Sequence, residues 1–253
     1  MVLEIKREAI IFPPGDLLSE EPPLETERHL KQILLLLSSL EWWWRDRPDA
    51  PEANRYNFYA AGNLTIYYSS RQLRSEEFRG PDFFVVLDVE DKERKSWVVW
   101  EEDGKYPNVI VEIISSSTAA TDKGLKKQIY QDTFRTPEYF WFEPFSLEFQ
   151  GFRKGNGGKY QPIDPNEQGW LWSEQLELYL GIVGEKLRFL TADGELVLIP
   201  SEAALQELGR TEQERIRAEQ ERSRAEQERS RADAAEAELE RLRRLLRERG
   251  VEE

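Results

Sequence analysis

Two short apolar segments, each carrying one acidic residue, constrain the fold of this chain more than any other feature. The first begins with Gly-Pro-Asp at residues 80–82 and continues as Phe-Phe-Val-Val. The second, residues 108–115, has Glu112 within a run of Val and Ile. Such runs, bounded by Pro and Ser, predict strands. Because an ionised carboxylate in an apolar strand is costly unless it is paired or bound to a metal, Glu112 indicates a functional site.

The two acids are predicted to lie close together. Asp82 stands at the head of the first strand, and Glu112 stands near the end of the second. Two carboxylates at the ends of neighbouring strands form a ready site for a hard cation, and oxygen ligands suit Mg²⁺. The sequence therefore predicts a magnesium site at these acids, in which Mn²⁺ is expected to substitute.

A helix and a third strand are predicted to follow. The Ser/Thr run at residues 115–118 supplies helix-capping residues, and the helix is expected to extend over about residues 121–133. Thr-Pro at residues 136–137 ends it, and the aromatic run at residues 138–142 predicts a strand. The order strand, strand, helix, strand predicts an α/β core in which a helix covers one face of a sheet.

Polar residues recur at a spacing of four along that helix and are expected to share one face. They are Asp122, Lys126 and Tyr130. Leu125 and Ile129 are predicted to form the adjacent buried stripe.

Taken together, these motifs resemble the Uma-two-type restriction endonucleases of the PD-(D/E)XK nuclease superfamily. The resemblance covers about residues 20–195 and excludes the C-terminal tail. It implies a restriction-endonuclease-like fold, in which helices flank a central mixed sheet, and Mg²⁺-dependent hydrolysis of phosphodiester bonds in DNA. The residues that carry it are Pro81-Asp82, Glu112-Ile113-Ile114-Ser115, Asp122, Lys126, Tyr130 and Thr136–Trp141, with Ala61–Leu64 upstream.

One position departs from the orthodox superfamily signature, which has a Lys two residues after the second acid. Ile114 stands there in this chain. The Uma-two pattern places a Lys on the following helix instead, and Lys126 occupies the matching position. A Lys in the new position can reach the same metal site from a different backbone element. A binding domain that has lost its chemistry is the alternative, and both interpretations stay open.

The mechanism implied by this set assigns a role to each residue. Asp82, Glu112 and the backbone carbonyl of Ile113 are expected to hold one Mg²⁺, or two. Lys126 is expected to orient the attacking water or to stabilise charge in the transition state. Tyr130 either positions Lys126 or a phosphate, or packs in the core.

An amphipathic helix is predicted near the N-terminus, from Glu25 or Thr26 to about Trp44. Its predicted buried stripe is Leu30, Ile33, Leu34, Leu37 and Leu40.

Two residues at the start of this helix have competing interpretations. Glu25 suits the helix dipole as a first-turn stabiliser, whereas the resemblance implies a third acid that faces the metal site. His29, the single histidine of the chain, is assigned to packing or to the surface rather than to catalysis.

Composition narrows the class of protein. There are no cysteines and one histidine, which excludes disulfides, thiolate nucleophiles and multi-histidine metal sites. The N-terminus lacks a signal-peptide pattern, and the apolar run at residues 33–37 is too short to span a bilayer. A soluble cytoplasmic protein that is not associated with a membrane is expected.

Charge argues against tight DNA binding, because DNA affinity depends on Lys and Arg that neutralise phosphates. The chain carries −14; its part from Ser201 onward has 12 basic and 15 acidic residues, so residues 1–200 carry −11. Positive charge must therefore be confined to a patch. The candidates are Lys123, Lys126, Lys127 and Arg135.

Two further regions are predicted beyond the nuclease-like core. Residues 145–200 carry hairpin signals and aromatic residues, which predict an added antiparallel β region that walls the cleft or forms a dimer surface. From Ser201 the heptads Arg210–Ile216, Arg217–Ser223 and Arg224–Ser230 predict a long charged helix. The domain boundaries are therefore expected at residues 1–200 and 201–253.

The tail has a poor coiled-coil seam, because Glu occupies three successive d positions when Ala218 is an a position. The middle is predicted to be a solvated helix held by charge pairs, and the leucines between residues 239 and 246 can dimerise weakly. A homodimer through this helix or through the β region is therefore a candidate assembly.

Two other functions remain open at the level of sequence. A catalytically silent nuclease-fold module would bind nucleic acid or a protein partner through the same cleft, with little affinity for Mg²⁺. An assembly protein would act through its helical tail and would lose function when residues 205–253 are deleted. RNA as the substrate, and nicking as opposed to double-strand cleavage, are equally open.

Overall fold

The computed structural model describes residues 26–45, 54–69, 78–114 and 122–248. The chain divides into two compact units, residues 1–200 and residues 201–253. Among the described residues, the first unit contains all the strands, the helical segments α1 (Glu27–Arg45) and α2 (Asp122–Phe134), and a short 3-10 helix at Val99–Glu101. The strands are β1 Phe58–Gly62, β2 Ile66–Tyr67, β3 Phe78–Arg79, β4 Phe83–Leu87, β5 Trp97–Val98, β6 Val109–Ile113, β7 Glu138–Phe142, β8 Phe149–Lys154, β9 Tyr160–Pro162, β10 Leu171–Ser173, β11 Leu178–Val183 and β12 Lys186–Leu190.

A six-stranded mixed sheet forms the centre of this unit, with the strand order β1-β4-β6-β7-β8-β9. All neighbours in it are antiparallel except β6 and β7, which pair in parallel from Val109–Glu138 to Ile113–Phe142. Parallel neighbours need a crossover connection, and α2 lies in that connection. The predicted order strand, strand, helix, strand is confirmed for β4, β6, α2 and β7.

Each face of the sheet packs against different elements, because side chains alternate along a strand. Val109, Val111 and Ile113 of β6 face α1 and the three-stranded sheet β10-β11-β12. Ile110 and the neighbouring Ile114 face α2 and the small sheet β3-β2-β5. Glu112 lies between these last two residues, so its side chain projects toward the α2 face.

Helix α1, Glu27–Arg45, confirms the predicted N-terminal helix, but its buried stripe differs from the predicted one. Leu36 and Leu40 are fully buried, whereas Leu30 and Leu34 are 41% and 51% exposed. Residues 33–37 are all apolar, so periodicity alone allows more than one buried face. The packing of α1 on the sheet selects the face that begins at His29.

Segment α2 replaces the predicted regular helix with a mixture of turns. A π-helical turn at Asp122–Lys126 is followed by an α-helical turn at Lys127–Ile129 and a second π-helical turn at Tyr130–Phe134. Hydrogen bonds from i to i+5 widen the helix beyond four residues per turn, so residues spaced by four stay on one side.

The predicted stripe of α2 was wrong at Leu125, which is 54% exposed. Tyr130 and Phe134 are buried instead, because the wide turns carry the series 126, 130, 134 toward the sheet. The predicted capping residues 115–118 lie outside the described part of the chain.

The antiparallel β region is confirmed. Strands β8 and β9 form a hairpin at the predicted Gly-rich turn, and β10, β11 and β12 form a separate antiparallel sheet. One face of this second sheet contributes Leu180, Leu187 and Phe189 to the same core as α1. That face is therefore interior and is not available as a dimer surface.

Helix α3, Pro200–Glu248, occupies the second unit and is 49 residues long. Ion pairs between successive turns stabilise it, among them Arg210–Glu207 at 2.9 Å and Arg215–Glu212 at 2.8 Å. The predicted long charged helix is confirmed. Its leucines near the C-terminal end remain about half exposed, from 43% at Leu245 to 51% at Leu242.

The predicted fold class is confirmed as a mixed α/β architecture with a mixed central sheet, additional antiparallel sheets and a long C-terminal helix. Among the described residues, no helix combines the length and apolar character needed to cross a membrane.

Candidate active site

Asp82 and Glu112 flank the last paired residues of two adjacent strands. Strands β4 and β6 are antiparallel and end with the pair Phe83–Val111. Asp82 directly precedes Phe83 and Glu112 directly follows Val111, so the pairing brings the two acids side by side. The Asp82 carboxylate also bridges the strands, because its Oδ2 accepts a hydrogen bond of 2.7 Å from the backbone N–H of Ile113.

Glu112 is completely buried, and α2 supplies partners to both of its oxygens. The Lys126 ammonium lies 3.1 Å from Oε2, and the Tyr130 hydroxyl donates a hydrogen bond of 2.6 Å to Oε1. Lys126 keeps 21% of its side chain exposed, so it reaches from the surface to the buried acid. The two residues predicted to share a helix face therefore meet on one carboxylate.

Tyr130 is a neutral hydrogen-bond donor to Glu112 in this site. Burial, reinforced by the negative charges of Glu112 and Asp82, raises the pKa of Tyr130 well above its usual value of 10. Its hydroxyl therefore stays protonated at any physiological pH and holds the Glu112 carboxylate in place. Its ring packs against Tyr139 and Phe134.

Sequence reasoning missed the contact between His29 and the site. His29 is buried, as a packing residue would be, and its Nε2 atom lies 2.9 Å from Oδ1 of Asp82. The sequence did contain a signal for this contact, since His29 lies four residues before Ile33 and seven before Leu36. That spacing puts His29 on the face that meets the sheet.

The structure describes three of the four residues predicted to form the basic patch, namely Lys126, Lys127 and Arg135. The Lys127 ammonium lies 3.2 Å from the centre of the Phe152 ring, and burial there lowers the pKa of Lys127. Lys127 thus forms a cation–π contact. Arg135 is exposed. The side chains of Lys123 and Asp122, and the whole of Glu25, lie outside the described part of the structure.

The two acids fit a divalent cation chemically. The two acids stand opposite each other beyond the last strand pair, one ammonium contacts Glu112, and each ionised carboxylate has about four lone-pair positions. Among the described residues, no group of three or more His, Cys, Asp or Glu is arranged to hold a metal ion. A site with two acids is still adequate for Mg²⁺, which typically keeps several waters and binds through one or two carboxylates.

The carbonyl ligand remains a prediction. At Ile113 the contact to the site is made by the backbone N–H, which donates to Asp82. Ile114, which replaces the orthodox Lys, is buried in the core on the α2 side of the sheet. A Lys at this position would point into the hydrophobic core that contains Tyr130, which gives a physical reason for its absence.

Comparison with known proteins identifies the family of this chain. A family model named Uma2 and described as "Putative restriction endonuclease" matches residues 6–201. Among solved structures, the crystal structure of a "putative nuclease" from Anabaena variabilis aligns with 12% sequence identity and a TM-score of 0.42, covering 61% of this chain and 76% of that one. A search of curated proteins found no match. Because the family model spans most of the chain, including both acids, the protein belongs to the Uma2 family of restriction-endonuclease-type nucleases.

Proposed function

We propose that this protein is a Mg²⁺-dependent endonuclease that hydrolyses phosphodiester bonds in DNA. The observation that carries the proposal is the buried Glu112, which is held by Lys126 at 3.1 Å beside Asp82. Burying a charged group in a hydrophobic strand is unfavourable unless it is paired. A structural ion pair needs only Glu112 and Lys126, whereas a cation site also needs the second acid that Asp82 places on the adjacent strand.

Asp82, Glu112 and the backbone carbonyl of Ile113 are the groups that would hold the cation. A divalent cation supplies Lewis-acid chemistry there, acidifying water and polarising the scissile phosphate. Tyr130 keeps Glu112 oriented through its hydrogen bond to Oε1. Lys126 carries a positive charge at the edge of the site, where it can hold a phosphate oxygen and stabilise the charge that develops during attack.

DNA is the substrate favoured by the family, whereas the net charge limits how the protein can bind it. Residues 1–200 have a net charge of −11, so this domain as a whole repels the phosphate backbone. We therefore expect weak binding that depends on the cation and on Lys126, with a shallow salt dependence because few phosphates are neutralised.

The direct test is cleavage of supercoiled and linear DNA by the full chain with Mg²⁺ or Mn²⁺. We expect nicked or linear products, with cleavage abolished by EDTA. A single-stranded RNA of matched length tests the choice of nucleic acid. Cleavage of RNA alone would contradict the DNA proposal, and the absence of cleavage on every substrate would contradict the nuclease proposal.

Replacing Lys126 by Met separates catalysis from metal binding. Met preserves the apolar stem but removes the charge, so we expect cleavage to fall by about 10²-fold or more. Mn²⁺ affinity should be retained or should increase, since the competing ammonium has left Glu112. Plasmid cleavage and calorimetry with Mn²⁺ provide the two measurements. Lys105→Met is the matched control, because Lys105 bonds the Asp88 carbonyl at the other end of β4.

A catalytically silent binding module is the second candidate. The observation that favours it is the engagement of both Glu112 oxygens by Lys126 and Tyr130, an arrangement that is self-sufficient as a structural ion pair. This candidate predicts no Mn²⁺ binding by calorimetry, and DNA or protein binding that is unchanged in Asp82→Asn.

We also propose that the end of α3 binds a second copy of the chain. Leu239, Leu242 and Leu246 follow a, d, a spacing and are each about half exposed, between 50% and 51%. In a parallel, in-register pair, Arg231 would face Glu236 of the partner subunit, and Glu238 would face Arg243 of the partner subunit. Both contacts are attractive, as coiled-coil pairing requires. In the upstream repeats, the same pairing would place Arg side chains of one copy opposite Arg side chains of the other. Their repulsion confines the association to the end of the helix.

The replacement Leu242→Glu tests this association. A charge in the seam should cost about 2 kcal/mol or more and weaken the dimer roughly 30-fold. Analytical ultracentrifugation over a concentration series measures the change. Ile216→Glu, at an exposed position within the charged repeats, is the control and should leave the dimer intact. A wild-type chain that stays monomeric at every concentration would refute the proposal.

A further inference from the structure

We propose that His29 is a positioning residue that holds the Asp82 carboxylate in its metal-binding orientation. This inference rests on the proposed metal-dependent function. It adds a residue that neither the nuclease motif nor the family assignment contains, because His29 of α1 lies beside Asp82.

The two oxygens of Asp82 are contacted from two different elements. Oδ2 accepts the Ile113 N–H at 2.7 Å, and Oδ1 lies 2.9 Å from Nε2 of His29. Both residues are buried, each with 9% exposure. The first contact alone leaves the carboxylate free to tilt about that single hydrogen bond, and the second limits this motion. A ligand fixed in this way loses less entropy when it binds a cation.

Nε2 of His29 has no other assigned role. It is buried, and among the described residues no well-aligned hydrogen-bond partner satisfies it. A buried polar atom without a partner is unfavourable, so its position beside a carboxylate requires a reason. Interaction with Asp82 supplies one, because a modest turn of the ring or of the carboxylate would align the N–H with Oδ1.

Helix α1 is fixed firmly enough to serve as the support for His29. One turn after His29, the Gln32 side chain bonds both backbone groups of Leu187 in β12, donating to the carbonyl at 2.8 Å and accepting from the N–H at 3.1 Å. At the helix start, Thr26 Oγ1 accepts the backbone N–H of His29 at 3.2 Å. These hydrogen bonds, at the start of the helix and one turn after His29, therefore fix the position of His29 relative to the sheet.

Close approach of α1 to β1 completes this support. A Cβ atom on Gly62 would come within 2.3 Å of the Ile33 side chain and 3.3 Å of the Asp82 carbonyl oxygen. Only a residue without a side chain permits this distance. The Ala61-Gly62-Asn63-Leu64 segment thus has a physical role, since it lets the helix that carries His29 approach Asp82.

The test compares Mn²⁺ binding by the full chain in three variants, measured by calorimetry and by the electron paramagnetic resonance spectrum of the bound ion. His29→Ala should weaken Mn²⁺ affinity by about 10-fold or more, the usual size of such an effect on a metal site. His29→Gln should restore affinity to within about threefold, because its amide N–H can replace the imidazole N–H. Arg28 neighbours His29 on α1 and forms an ion pair with Glu185. The control Arg28→Ala removes this ion pair and should bind Mn²⁺ with the affinity of the wild type.

Each outcome decides between the proposals. Equal affinity in wild type and His29→Ala would overturn the role of His29 and leave the proposed nuclease intact. A His29→Gln variant that folds but binds as weakly as His29→Ala would also overturn it. A wild-type chain that binds no Mn²⁺ would overturn the metal-dependent function and this inference with it. Thermal unfolding of each variant verifies that the fold is retained.

Discussion

Replacing Glu112 by Gln should abolish DNA cleavage, with an expected loss of roughly 10³-fold, or about 4 kcal/mol of transition-state stabilisation. The substitution preserves the shape of the side chain and its hydrogen bond from Tyr130, but it removes one of the two negative charges that attract the cation. Lys126 then repels the cation without compensation. Plasmid cleavage and Mn²⁺ calorimetry should both report the loss.

Stability separates this result from simple unfolding. A buried ion pair stabilises a fold weakly, because desolvation offsets the attraction, and Lys126 is partly exposed and can turn to solvent once Glu112 is neutral. We therefore expect the melting temperature of Glu112→Gln to remain close to that of the wild type. A large drop in melting temperature would mean that Glu112 has a structural role.

The companion variant Asp82→Asn should likewise lose DNA cleavage and Mn²⁺ binding. It should keep its fold, since an Asn oxygen can still accept the Ile113 N–H. Asp88→Asn is the matched control. Asp88 follows the other end of β4, is exposed, and has a positive φ of 56° that Asn tolerates. Equal activity in Asp82→Asn and Asp88→Asn would refute the two-acid site.

Replacing Glu138 by Ala should have the largest effect on stability, with an expected cost of about 3–5 kcal/mol. Glu138 is completely buried at the start of β7. Its carboxylate accepts hydrogen bonds from the Arg153 guanidinium and the Glu174 N–H, both at 2.9 Å, and from the Ser173 hydroxyl. Its removal leaves these donors without their acceptor, across the junction between the central sheet and the β10–β12 sheet.

Urea unfolding gives the stability change directly. Glu174→Ala is the control, since this acid also pairs with Arg153 but is 59% exposed, and it should cost less than about 1 kcal/mol. Glu138 lies opposite Val109, at the other end of the strands from Ile113. Four residues of strand correspond to about 13 Å, so the folded fraction of Glu138→Ala should retain metal binding. Loss of Mn²⁺ affinity in folded Glu138→Ala would contradict the separation of this network from the site.

The elements that the sequence predicted well are those with a strong local signal. Strands β4, β6 and β7 are dense runs of Val, Ile and aromatic residues, and their boundaries were close to those observed. The turn between β8 and β9 has the Gly-rich composition that hairpins require. The heptads of α3 specify a helix through composition alone, with charge pairs between its own turns.

The errors occur where the local signal is degenerate. Within α1, five consecutive apolar residues do not specify which of them is buried, and Leu34 proved exposed while Leu36 is in the core. Within α2, the assumption of a regular helix placed Leu125 inside, whereas π-helical turns turn Tyr130 and Phe134 inward. In both helices, packing against the sheet determines which residues are buried, because the buried face is the one that fits the surface of the sheet.

From the sequence, the two acids were predicted because carboxylates in apolar strands are costly. Lys126 and Tyr130 were predicted to share a helix face from their spacing of four, and the family resemblance joined them to the acids in one predicted site. Only the tertiary structure decided how they meet. The register of β4 on β6 brings Asp82 beside Glu112, the crossover through α2 brings Lys126 and Tyr130 to the Glu112 carboxylate, and the packing of α1 brings His29 to Asp82. These contacts join residues between 14 and 53 positions apart, and the relative placement of segments so distant is determined by packing and strand pairing rather than by local sequence.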